Sequence, residues 1–168
     1  SLPVNDNFKS VKNIIPSGSV IYYLASSSVP GREKSFFNDY NDTVKPFIDF
    51  LEAVKLLTPR IIYLSSAGAI YGENNKPALE SDILKPKSIY GIHKLLIERY
   101  LFNYQIDNHI DYRIARISNP YGNNLIHGHG VGFVDMIARN FKSKKPIRIF
   151  ADLNNQRDFI HINDVIGA

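Results

Sequence analysis

Three short apolar runs punctuate the chain: SVIYYLAS at 19–26, RIIYLSS at 60–66 and DYRIARI at 111–117. Each is rich in β-branched or aromatic residues and continuous rather than alternating, the pattern of strands covered on both faces. Between the first two lies FFNDYNDTVKPFIDFLEAVKLL, with Phe47, Phe50, Leu51, Val54 and Leu57 at helical spacing. Between the second and third lies SIYGIHKLLIERYLFNYQ, with Ile92, Leu95, Leu96, Tyr100 and Leu101 on one helical face. Strand, helix, strand, helix, strand predicts parallel strands joined by helical crossovers. Pro46 falls inside the first helical pattern and predicts a kink or a delayed start. A Gly/Asn/His loop at 119–132, a helix at 133–143, a strand PIRIFAD at 146–152 and a last helix capped by Asn163 or Asp164 complete the reading.

Composition narrows the class. The 168 residues are 44% hydrophobic and include ten Tyr and ten Phe, enough to bury the core of one domain. The formal charge of +4 is spread through interleaved acids and bases. Its only tight basic run, KSKK at 142–145, lacks neighbouring aromatics and reads as a solvated helix end, so no nucleic-acid partner is expected. Without cysteine there is no thiolate chemistry, a composition compatible with a reducing compartment. No apolar run approaches the roughly twenty residues needed to cross a bilayer, and SLPVNDNFKS is unlike a signal peptide. A soluble, cytoplasmic chain with no membrane partner is expected. GHGVG at 128–132 has the wrong spacing for a phosphate cradle, and HGH at 127–129 has no carboxylate or thiol nearby, so no metal is expected.

The candidate chemistry lies in SIYGIHK, residues 88–94. Tyr90 and Lys94, at i and i+4, share one helix face. A lone pair of this kind arises often by accident. Upstream, however, LSSAGAIYG (64–72) puts Ser65 and Ser66 where a strand ends, the edge at which open α/β sheets build their sites. Downstream, RISNPYG (116–122) occupies the end of the next strand, so three polar constellations are expected at one rim.

Taken in order, YYLAS, YNDTVKPFIDFLEA, YLSSAGAIYG, YGIHKLLIE, RISNPYG and RDFIHINDVIGA resemble the motifs of the extended short-chain dehydrogenase/reductases, specifically the NAD-dependent sugar-nucleotide epimerases and dehydratases. The resemblance implies a Rossmann-like α/β fold, a doubly wound parallel sheet forming a single partial domain over 1–168. About 119–168 would begin the nucleotide-sugar-binding part. Neither the family's first βαβ unit with its glycine fingerprint nor most of its C-terminal substrate lobe is matched, so the chain resembles a central fragment. By the same resemblance, NAD would be lined by Leu24, Ala25, Ser26, Asn41, Ser65, Tyr90, Lys94 and Ile117, with Asn119 and Arg157 holding the diphosphate of a nucleotide sugar, a UDP-sugar foremost. For Arg157 the plain alternative is an ion pair with Asp158 or Asp164.

The resemblance makes Tyr90 the base, Lys94 the group that binds the nicotinamide ribose and lowers the Tyr90 pKa, and Ser66 the hydroxyl partner. A free tyrosine titrates near pH 10, so serving as a base at neutral pH asks for roughly 4 kcal/mol of help. Four positions before Tyr71 stands Ala67 rather than a serine. Either the loop carries an extra residue and Ser66 takes the role, which is preferred, or the hydroxyl is lost. SSAGAIYG holds no carboxylate, which disfavours dehydration and leaves C4 epimerisation first, a reductase or dehydrogenase second, and a non-catalytic nucleotide-sugar-binding module third. A homodimer is implied through helices near 42–57 and 88–104, whose Phe47, Phe50, Leu96, Tyr100 and Tyr104 exceed what one sheet face needs.

Overall fold

The computed structural model describes residue 8 and residues 11–28, 35–73, 76–108, 110–122, 132–149 and 154–168. The chain divides into two compact units, Ser1–Arg116 and Ile117–Ala168.

The first unit is built on a three-stranded sheet in the order β1 (Val20–Tyr23), β2 (Arg60–Ser66), β3 (Asp111–Ile117), the last residue of β3 opening the second unit. β1 and β2 are parallel, with Val20 opposite Arg60 and Tyr23 opposite Tyr63. The crossover between them holds α2 (Phe36–Asp39), a π-helical segment (Tyr40–Val44) and α3 (Lys45–Val54). The expected effect of Pro46 is the π segment itself. A proline at 46 supplies no N–H to the carbonyl of Asp42 and crowds it. That carbonyl instead accepts from the Ser27 hydroxyl at 2.9 Å. The second crossover runs through α4 (Ala67–Ile70) and α5 (Ile89–Asn108).

The core gathers Tyr23, Ile61 and Tyr63 from the sheet, Phe47, Phe50, Leu51 and Val54 from α3, and Ile97 and Leu101 from α5, with Val11 of α1 (Val11–Ile14) beside them. Tyr23 meets Phe47 edge-on at 4.7 Å between centroids, and Phe47 lies 5.4 Å from Tyr63. Full burial of a ring such as Phe47 contributes on the order of 2 kcal/mol.

Four expectations need correcting. The first run is a strand only at Val20–Tyr23, because Leu24–Ser28 peels away to bond the π segment through its serines. Coverage on both faces does not hold for it: Val20 and Tyr22 are exposed, α3 and α5 covering the opposite face. The buried face of α5 is only in part the one counted from apolar spacing: Leu101 is buried and Leu96 and Tyr100 pack against the core. Ile92 is exposed, while His93, Lys94 and Glu98 are buried beside Ile97 and Leu101, with Asp39, Leu64 and Arg116 as their respective partners. Phe47 and Phe50 are core residues and offer no surface to a dimer.

The second unit pairs β4 (Asn119–Tyr121) with β5 (Phe159–His161) in parallel and adds α6 (Phe133–Lys142) and α7 (Ile162–Gly167). Residues 146–149 form no strand, since an extended segment becomes one only beside a neighbour that takes its N–H and C=O groups; 150–152 lie outside the described residues. The cap of α7 is His161 rather than Asn163 or Asp164, its Nδ1 accepting from the Asn163 N–H at 3.2 Å. Among the described residues no helix is long and apolar enough to cross a membrane, and no three His, Cys, Asp or Glu side chains are grouped to hold a metal; His127 and His129 lie outside them.

Candidate active site

Helix α5 starts where it does because Ser88 caps it, its hydroxyl accepting from the Gly91 N–H at 3.1 Å. Gly91 then lets α5 settle on the turn after β2, since a side chain at 91 would collide with the carbonyl oxygen of Ala69. With the helix seated this closely, the Tyr90 phenol faces Ser66, the last residue of β2, near enough for that hydroxyl to lower its pKa. That favours Ser66 over a lost hydroxyl. Ala67, the position four before Tyr71, begins α4 and offers only a methyl group.

Lys94, one turn further along α5, is 7% exposed. Its ammonium donates to the carbonyl of Leu64 at 2.8 Å and lies 4.9 Å from the centre of the Tyr63 ring and 5.7 Å from that of Tyr90. Burial pulls the Lys94 pKa down to about 8, against the pull of the Glu98 carboxylate one turn on. Burial likewise pushes the Tyr90 phenol above its ordinary value, and the Ser66 hydrogen bond only partly offsets it. The expected lowering of Tyr90 by Lys94 is therefore not the dominant effect in this chain, because the ammonium is aimed at Leu64 and sits nearer Tyr63 than Tyr90.

Around this pair stands a support that the motifs contained but that carried no assigned role. Arg116 grips Glu98 with two hydrogen bonds, at 3.2 and 2.8 Å, and donates to the Tyr71 hydroxyl at 2.8 Å and to the Glu80 carbonyl at 3.2 Å. The visible signal was the spacing: Glu98 is i+4 from Lys94, and Arg116 opens RISNPYG. The bidentate grip gives the buried Glu98 side chain its partner and fixes the helix turn that holds Lys94.

The remaining candidates are placed as follows. Leu24, Ala25 and Ser26 form the exposed start of the loop leaving β1. Ser65 is buried on the opposite face of β2 from Ser66, and its hydroxyl has no partner. Asn41 is half-buried, whereas Thr43 and Val44 are the buried residues of the π segment, Thr43 exchanging a hydrogen bond with Ser27 at 2.9 Å. Ile117 ends β3. In the second unit, Asn119 is exposed and donates through Nδ2 to the Asp158 carbonyl at 2.8 Å, and Arg157 is exposed, without an ion pair to Asp158 or Asp164 among the described residues.

These residues fit a nicotinamide nucleotide. An ammonium carries three N–H donors, and the one bond from buried Lys94 to Leu64 leaves donors for the vicinal hydroxyls of a ribose.

Residues 6–168 match the model of the NAD dependent epimerase/dehydratase family. The chain belongs to that family. Members are NAD-dependent, and the fold is their Rossmann-like α/β class. A provisionally named UDP-glucose 4-epimerase of Methanocaldococcus jannaschii is 34% identical over 96% of this chain and 52% of its own length. The dTDP-4-dehydro-6-deoxyglucose reductase of Escherichia coli is 32% identical over 65% of this chain and 34% of its own. Among solved structures, the UDP-glucose 4-epimerase of Thermotoga maritima with UDP-glucose superposes with a TM-score of 0.85 at 26% identity, covering 99% of this chain and 55% of that one. The UDP-glucuronic acid 4-epimerase of Bacillus cereus, in complex with UDP-glucuronic acid and NAD, gives 0.83 at 26% identity, covering 98% and 52%. The chain spans about half the length of the curated relatives that it matches from end to end.

Proposed function

We propose that the protein carrying this chain epimerises a UDP-sugar at C4, with Tyr90 as the proton acceptor, Ser66 as its hydroxyl partner and Lys94 as the fixed cation. The observation that carries this reading is the buried Lys94 ammonium beside the Tyr90 ring, with the Ser66 hydroxyl close enough to lower the phenol's pKa, at the end of a parallel strand. Oxidised NAD, when bound, would take the hydride from C4 and favour the phenolate by its own positive charge. Ser66 would orient the C4 hydroxyl toward the Tyr90 oxygen, and Tyr90 would accept that proton as the C–H bond breaks, then return it once the keto-sugar has turned over. Lys94, anchored on Leu64, would hold the ribose with its other N–H groups. Asn119 and Arg157 would serve the diphosphate, for which an exposed planar guanidinium is well suited.

A second reading, a nucleotide-sugar reductase, is favoured by the likeness to the Escherichia coli reductase and uses the same tyrosine without the turnover of the keto-sugar. A homodimer through 42–57 and 88–104 remains part of the proposal, with Leu96, Tyr100 and Tyr104, which are only partly buried against the core, as its apolar contribution. In the full-length protein, Tyr90→Phe should retain the fold and NAD binding while turnover falls about a hundred- to ten-thousandfold. Undiminished turnover in that variant would reject Tyr90 as the acid/base.

A further inference from the structure

Between Tyr90 and Lys94 stands His93, a buried polar residue that the chemistry above does not use. It is 1% exposed and packed under Phe36 at 4.7 Å and Tyr40 at 6.2 Å between ring centroids. Its Nδ1 lies 2.7 Å from Oδ2 of Asp39, the last residue of α2, and that same oxygen accepts from the Ser28 hydroxyl at 2.9 Å. All three side chains are buried, and the Nε2 of His93 has no partner. A helix position here could be filled by an apolar residue at no desolvation cost. Taking a carboxylate out of water costs several kcal/mol unless its bonds are short and well aimed, so such a cluster specifies geometry better than it adds stability.

The geometry it specifies is particular. Ser28 lies in the segment that leaves β1 with Leu24, Ala25 and Ser26, and His93 sits inside the turn that carries Tyr90 and Lys94. Apolar contacts alone allow two elements to slide over each other, whereas hydrogen bonds hold one separation and one angle. Ser27 ties the same segment to Asp42 and Thr43, so Ser27 and Ser28 are anchored while Leu24, Ala25 and Ser26 are exposed.

We propose that Ser28, Asp39 and His93 are positioning residues that lock the loop leaving β1 to the Tyr90–Lys94 turn of α5, so that the two edges of the cofactor site keep a fixed separation. Its cofactor half rests on the function proposed above; the lock itself does not. The test uses the full-length protein as Ser28→Ala, His93→Phe and His93→Asn. Phenylalanine keeps the ring without the donor, and asparagine keeps a donor where Nδ1 stood. In ligand-free hydrogen exchange, Ser28→Ala and His93→Phe should each speed exchange about fivefold in both the 24–28 and the 90–94 segments while β2 is unchanged, and His93→Asn should restore it. Faster exchange only beside the substituted residue, or uniformly through the protein, would overturn the lock. By calorimetry, Ser28→Ala should weaken NAD binding about fivefold, and an unchanged dissociation constant would overturn the positioning role. Wild-type protein that binds no NAD would remove the proposed function and leave the lock to be decided by exchange alone. If His93→Phe does not fold, Ser28→Ala, which removes one hydroxyl, decides both arms.

Discussion

Lys94 should be a residue the fold would be more stable without. Burial lowers its pKa from 10.5 to about 8, so the folded protein resists the protonated form that the unfolded chain accepts freely. At neutral pH this difference is a penalty of about 3 kcal/mol. Replacing Lys94 with methionine removes the penalty and keeps a flexible apolar stem in the core, at the loss of one hydrogen bond to Leu64, about 1 kcal/mol. The net expectation is a gain of about 2 kcal/mol, or a Tm higher by about 6 °C for a chain of this size. The sign over pH follows from a depressed base. The folded state binds fewer protons than the unfolded one between the two pKa values, so the wild type gains stability as pH rises from about 8 to 10.5. The advantage of Lys94→Met should therefore be whole below about pH 8 and gone above about 10.5. Urea unfolding of ligand-free wild type and variant at the two ends of that window measures it, and calorimetry with NAD should show the variant's binding lost. A variant less stable than wild type at neutral pH, or a difference that does not shrink with rising pH, would refute the reasoning.

Gly91→Ala should destabilise by about 1–3 kcal/mol in urea and lower turnover, because the new methyl group must push α5 off the Ala69 carbonyl and carry Tyr90 away from Ser66. Arg116→Met should cost about 3 kcal/mol in the same assay, since it strands the buried Glu98 carboxylate, and Glu98→Gln made together with it should recover much of the loss. Sedimentation at tens of micromolar should show a dimer, with Tyr100→Glu shifting it to monomer; wild type that sediments only as monomer would reject the association.

What the sequence revealed followed physical range. The parallel pairing of β1 with β2 and the helical crossovers were legible because hydrophobic runs and their spacing are local facts. So was the nearness of Ser66 and Lys94 to Tyr90, carried by spacing within two short motifs. What escaped depends on partners far along the chain. His93, Lys94 and Glu98 read as the polar side of α5, yet they are buried because Asp39, Leu64 and Arg116 reach them from other elements. The π segment ahead of Pro46, which buries Thr43 and Val44, had no signal in the spacing. Residues 146–149 had the composition of a strand without a neighbour to pair with, and apolar content does not supply one. Phe47 and Phe50 were counted as surplus because the sheet face they cover is also lined by Tyr23 and Tyr63, whose rings demand aromatic partners.

The claim that Tyr90 serves a hydride that leaves C4 and returns to it is tested most directly with UDP-glucose deuterated at C4, incubated with the full-length protein and NAD. The account predicts a C4 epimer that keeps its deuterium, with none released to water, and about a hundred- to ten-thousandfold less of it from Tyr90→Phe. A C4 epimer formed with the label washed into solvent, or no C4 epimer from any UDP-sugar, would contradict it.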